Sequence, residues 1–258
     1  MKPRTILGLT HPYSWNTAAA LLRDGDLVAF AEEERFTRVK HAPRAFPKRA
    51  MEYCLAEAGV TLADVDEIAI GMDHLTSVIL PNMWPPQPLR FAYGKIMRTM
   101  REIRRGNELM PFSLRDHRVH FINHHLAHVA SSLYLSGFDR ANFISLDGAG
   151  GGESGMLGWG EGTTLHVLHR VTNAGSWGAL YERITKILGF RPHSHEGKTM
   201  GLAAYGTPKP DLFTFIDWSG EIPRIDHSGR NVFLRTLRIR EKNEPLTQEH
   251  KDLAATVQ

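Results

Sequence analysis

Apolar residues fall in short runs along this chain, and turn-forming residues bound each run. Residues 5–10 predict a buried strand, and 16–22 predict a second. Arg23-Asp24-Gly25-Asp26 predicts a hairpin turn, with 27–31 returning antiparallel. A helix is predicted over 47–58, with Pro47 in its first turn and Gly59 closing it. Another buried strand is predicted over 67–71. The texture changes between 81 and 116, where Pro81, Pro85, Pro86 and Pro88 punctuate a loop and 91–105 reads as a basic amphipathic helix. The pattern then resumes with a strand over 118–122, a helix to about Leu135 and a strand over 142–147. A strand pair follows over 154–160 and 164–171, then a helix over 177–188 closed by Gly189. A last helix begins near Thr247. Taken together, these elements predict an α/β fold: a mixed sheet with flanking helices.

Composition narrows the picture modestly. A chain of 258 residues can bury a full core, as one large domain or two smaller lobes. Its 31 Lys and Arg against 28 Asp and Glu leave a net charge of +3, too slight to argue for a nucleic-acid partner. The single cysteine, Cys54, cannot form an internal disulfide and sits where a packed helix face explains it. Met1-Lys2-Pro3-Arg4 leads straight into a strand, and no apolar stretch approaches the ~20 residues that span a bilayer. A cytoplasmic protein without a membrane segment is the expectation.

The chemistry concentrates in two runs. Asn123-His124-His125-Leu126-Ala127-His128 opens a helix on a good N-cap, and its spacing places His124 and His128 on one face. Ile144-Ser145-Leu146-Asp147 is a strand ending in an acid, followed by Gly148, Gly150, Gly151 and Gly152. Two neutral imidazoles and one carboxylate are a divalent-metal set with open positions, and N/O ligation suits Fe(II), Zn or Mn. His125 points elsewhere, as a supporting or surface residue, although an i,i+3 pairing with His128 stays open. The glycines either make a tight hairpin or let backbone amides approach an anion. They match neither a Walker A loop nor the dinucleotide fingerprint. Lys198, in Gly197-Lys198-Thr199-Met200-Gly201-Leu202-Ala203-Ala204-Tyr205-Gly206, either reaches a phosphate or ribose or lies in solvent. His11 follows the first strand and is a candidate proton acceptor for an attacking hydroxyl, or a loop histidine with no role. The charge run from Glu32 to His41 reads as a solvated face, with one arginine as a candidate for binding an anionic group.

These stretches, with Gly8-Leu9-Thr10-His11 and Glu32-Glu33-Glu34-Arg35-Phe36-Thr37-Arg38, stand in the same order as in one family. The chain resembles the N-terminal part of the O-carbamoyltransferases grouped with NodU and CmcH. That resemblance implies an actin, sugar-kinase and heat-shock ATPase (ASKHA) type of fold, with ribonuclease-H-like lobes around a nucleotide cleft. It implies that a YrdC-like domain makes carbamoyl adenylate from carbamoyl phosphate and ATP. The lobed domain would pass the carbamoyl group to a hydroxyl of a sugar, antibiotic or other small metabolite. His124, His128 and Asp147 would hold iron against the adenylate phosphate, with Gly148, Gly150, Gly151 and Lys198 near the nucleotide and His11 near the acceptor. Family members are longer, so 1–206 is expected as a first lobe with an insertion at 81–116, and 207–258 as a linker toward a second lobe absent here. That second lobe and the YrdC-like domain are the partners implied. Two other readings stand beside this one: a non-catalytic metal- or nucleotide-binding module, and a tRNA threonylcarbamoyl transferase.

Overall fold

A computed structural model of the chain describes residues 3–11, 14, 16–43, 45–71, 110–113, 116 and 118–258. The predicted helix over 91–105 and most of the segment 81–116 lie outside the described residues. The chain divides into two compact units, Met1–Ala130 and Ser131–Gln258.

In the first unit, strands β1 (Thr5–Leu9), β2 (Ala18–Arg23) and β3 (Asp26–Glu32) form an antiparallel meander. Asp24 and Gly25 both take positive φ, 53° and 95°, which matches the right-handed twist of the two strands they join. β4 (Glu67–Ile70) and β5 (Val119–Phe121) add in parallel on the other side of β1, giving the order β3-β2-β1-β4-β5. This is a mixed sheet, antiparallel on one side of β1 and parallel on the other. Alternation in β1 turns Thr5, Leu7 and Leu9 inward. They meet Leu21, Ile68 and Ile70, together with the apolar face of a helix, Lys48–Glu57, that carries Ala50, Met51 and Cys54. The returning strand is less buried than its apolar run suggests: Ala29 and Ala31 enter the core while Phe30 is 58% exposed.

Glu33 and Glu34 depart from the reading of the charge run as a solvated face, whereas Arg35, Arg38 and Lys40 are exposed as that reading expects. A single helical turn, α1 (Glu34–Thr37), precedes the Lys48–Glu57 helix, which is α2. Glu33 is only 3% exposed, and its Oε2 accepts the Ala50 N–H at 2.8 Å. Pro47, at the N-cap of α2, supplies no side-chain acceptor, so a glutamate fourteen positions earlier satisfies an orphan donor of the first turn. Glu34 is buried as well. Its carboxylate accepts the His41 N–H and pairs with Lys40 Nζ at 3.0 Å, which holds its pKa below the ordinary glutamate value. These bonds fasten a loop in which Arg38, His41 and Ala42 all take positive φ.

The second unit opens on another three-stranded antiparallel meander: β6 (Arg140–Gly150), β7 (Glu153–Glu161) and β8 (Thr164–Thr172). Four helices follow β8: α4 (Trp177–Ile187), α5 (Glu196–Ala203), α6 (His227–Thr236) and α7 (Gln248–Val257). A short two-stranded ribbon lies between α5 and α6, β9 (Ile216–Asp217) with β10 (Arg224–Ile225). Residues 207–258, expected as a linker, are part of this unit's core: Phe215, Leu234, Leu253 and Ala254 pack with Leu180 and Ile184 of α4. Asp252 fastens the last helix. It accepts the Thr207 N–H at 2.9 Å and pairs with Lys209 Nζ at 2.7 Å. No helix among the described residues is long and apolar enough to cross a membrane.

Candidate metal centre

The histidine helix, α3 (His124–Leu133), starts as its sequence dictates. The Asn123 side chain accepts the Leu126 N–H at 3.1 Å, an N-cap bond. One turn apart on this helix, His124 and His128 bring their Nε2 atoms to 3.1 Å, with ring centroids 4.5 Å apart and planes nearly perpendicular. Two imidazole nitrogens in adjacent positions of one ion at about 2.0–2.1 Å lie about 3 Å apart, so this spacing, which here is also that of a ring-to-ring hydrogen bond, suits a chelating pair. His124 is half-buried and His128 exposed, which leaves the pair open to an ion from solvent. His125 is wholly buried, which leaves the supporting rather than the surface alternative. Its ring lies 6.4 Å from that of His128, so the i,i+4 pair is the close one and the i,i+3 pair is not.

Asp147 belongs to the second unit and to the interior of a strand rather than its end. β6 continues to Gly150, and the hairpin is turned by Gly151 and Gly152 at φ 68° and 81°. Leu146 pairs with Gly155 and Gly150 pairs with Glu153, so residues 147–149 stand opposite Ser154 alone. Asp147 thus sits in a bulge, where a strand re-aims a side chain. Its Oδ1 accepts the Gly148 N–H at 2.6 Å. Of the predicted anion cradle, Gly148 and Gly150 are strand residues, and Gly151 and Gly152 take turn conformations.

The bulge is clamped from α4. Ser176 caps that helix by accepting the Ala179 N–H at 2.9 Å, and its hydroxyl donates to the Gly148 carbonyl at 2.7 Å. Gly178, in the first turn, lies against the Asp147–Gly148 peptide. Neither residue stood out in the sequence; a serine before an apolar helix was the available signal for the cap. α4 is joined in turn to α5 through the buried pair Thr185 and Thr199, whose hydroxyls are 2.9 Å apart. Lys198 projects from α5 into solvent and makes no ion pair among the described residues.

His11 lies just beyond β1, in a turn closed by the Ser14 N–H bonding to its carbonyl at 2.7 Å. Its ring is wholly buried, so this turn histidine is an interior group.

Comparison with known proteins places these residues in context. The nodulation protein NolNO of Sinorhizobium fredii is 35% identical over 262 residues, covering 98% of this chain and 37% of that protein. An uncharacterized protein of Synechocystis sp. is 30% identical over 286 residues, covering 98% of this chain and 46% of its own length. The chain therefore spans less than half the length of either relative. Among solved structures, YeaZ from Pseudomonas aeruginosa matches over 66% of this chain and 67% of its own, at 18% identity and a TM-score of 0.33. The family model described as carbamoyltransferase N-terminus matches residues 5–84 and 93–220, breaking only at 85–92. With its histidine helix, its β6 aspartate and the Lys198 helix all inside the matched residues, the chain belongs to the carbamoyltransferase N-terminal family.

Proposed function

We propose that this chain is the metal-bearing part of an O-carbamoyltransferase, taking carbamoyl adenylate as donor and a hydroxyl of a small metabolite as acceptor. The observation that carries the reading is the 3.1 Å approach of the His124 and His128 Nε2 atoms on a segment that belongs to the family. Asp147 is proposed as the third ligand on the family resemblance, since two imidazoles and one carboxylate leave positions open for a substrate oxygen. The metal proposed is Fe(II), with Zn or Mn as the alternatives the donor set also admits. When bound, the ion supplies Lewis-acid stabilisation of phosphate charge.

The remaining work falls to the protein's own side chains. The acceptor oxygen bonds to the carbamoyl carbon, the bond from that carbon to the adenylate phosphate oxygen breaks, and AMP leaves as the anion. His11 is proposed to take the hydroxyl proton. Lys198, an exposed ammonium with no carboxylate partner among the described residues, is proposed to neutralise phosphate charge as AMP departs. The Gly148 N–H is engaged by Asp147, so its part is to orient the carboxylate rather than to bind the anion. Formation of the adenylate from ATP and carbamoyl phosphate is assigned to a YrdC-like domain outside this chain. We assign cytoplasmic localisation on the same reading.

Metal analysis of anaerobically purified protein tests the proposal, comparing wild type with a His124→Ala/His128→Ala variant. One equivalent of iron or zinc in the wild type, lost in the variant, is the expected result. Equal metal in both proteins would show that these histidines are not ligands.

A further inference from the structure

Ser176 is wholly buried, and its hydroxyl serves two segments at once. As the N-cap of α4 it accepts the Ala179 N–H at 2.9 Å. Its own proton goes to the β6 bulge, where Oγ lies 2.7 Å from the Gly148 carbonyl oxygen and 3.2 Å from that of Asp147. An N-cap serine needs only the first of these bonds to start a helix. The second ties the helix end to a strand residue 28 positions earlier. In a buried position, solvent does not replace a partner that is lost.

The tied peptide is the one that orients the Asp147 carboxylate. Its N–H, that of Gly148, bonds to Asp147 Oδ1, and its carbonyl, that of Asp147, faces Ser176. Gly178, with no Cβ, lets the first turn of α4 close onto the same peptide. Turning that peptide plane therefore turns the N–H and the carboxylate bonded to it. A bulge disrupts its own ladder, and here residues 147–149 stand opposite Ser154 alone, so the hold from α4 supplies what pairing with β7 does not. α4 is itself fixed: Leu180 and Ile184 lie in the core of the second unit, and Thr185 bonds to Thr199 of α5.

We propose that Ser176 and Gly178 are positioning residues of the metal centre, acting on Asp147 through its peptide rather than on the ion. The proposal rests on Asp147 being the third ligand. A carboxylate already aimed loses little freedom when it ligates, whereas one on an untethered bulge must be ordered by the ion itself. Removing contacts of this kind costs about 10–100-fold in metal affinity.

Titration of the metal-free 258-residue protein with Co(II), read from the visible absorption of the bound ion and paired with thermal unfolding, tests this role. The wild type is expected to take up one equivalent. Ser176→Ala and Gly178→Ala are expected to bind about tenfold more weakly. Ser176→Thr keeps the hydroxyl and is expected to recover most of the wild-type affinity. Because Ser176→Ala also removes a helix cap, Gly178→Ala, which leaves the cap in place, decides the matter if the first variant fails to fold. Alanine variants that unfold at lower temperature yet bind Co(II) as the wild type does would overturn the proposal, since a purely structural clamp gives that result. A loss in Ser176→Thr equal to that in Ser176→Ala would overturn the role given to the hydroxyl. Binding that is absent in the wild type, or unchanged in His124→Ala/His128→Ala, would instead overturn the metal reading beneath it.

Discussion

Gly178 and Asp147 stand in direct backbone contact: a Cβ built on Gly178 would lie 2.6 Å from the Asp147 carbonyl carbon and oxygen and from the Gly148 nitrogen. The first turn of α4 therefore presses on the peptide that leaves the proposed ligand. Ser176, two residues earlier, bonds to the Gly148 carbonyl, so contact and hydrogen bond act on one bulge from one helix end.

Gly178→Ala is expected to force this contact apart. The obstacle is backbone rather than a mobile side chain tip, so the strain should cost about 1–3 kcal/mol of stability. Chemical denaturation measures it. An unchanged midpoint would show that the helix end shifts freely.

Glu33→Ala is expected to destabilise the first unit by about 1–3 kcal/mol, since it leaves the Ala50 N–H of α2 unsatisfied in a buried position. Glu33→Gln keeps a carbonyl acceptor and should retain more of the stability. If both variants unfold at the wild-type midpoint, the carboxylate is not serving as the cap of α2.

Asp252 sets a defined acid limb. Lys209, Thr207 and Gln248 hold its pKa at about 2, against an ordinary 3.8. Between these values the unfolded chain binds the proton more readily, so stability rises with pH across that window and is fully present above it. The contribution is lost as pH falls from about 4 toward about 2. Thermal unfolding as a function of pH should therefore show a flatter acid limb for Asp252→Asn, and an identical limb would assign the acid sensitivity elsewhere.

Cys54 is expected to resist alkylation in the native state. It is wholly buried in α2, its Sγ lies 3.5 Å from the Ala19 carbonyl, and burial raises its pKa. Because the thiolate is the reactive form, labelling at neutral pH should wait on unfolding. Rapid labelling of folded protein would contradict this placement.

Much of the local architecture was legible in the residues themselves. A short apolar run marks β1, Asp24-Gly25 marks the first hairpin, and Gly59 and Gly189 close their helices because each needs positive φ at that point. The His124–His128 pairing follows from helix pitch once Asn123 supplies the cap. All of these depend on neighbours a few residues away.

Burial and long-range pairing were decided only by the tertiary structure. Glu33 and Glu34 look like a solvated charge run until the chain returns to offer them the Ala50 and His41 N–H groups. Residues 207–258 look like a linker until Leu253 and Ala254 meet α4. Asp147 looks like a strand terminus until pairing with β7 carries the strand on and leaves a bulge beneath it. In each case the partner lies beyond the reach of local spacing. Charge and hydropathy show what a residue prefers, and packing from elsewhere in the chain determines what it meets.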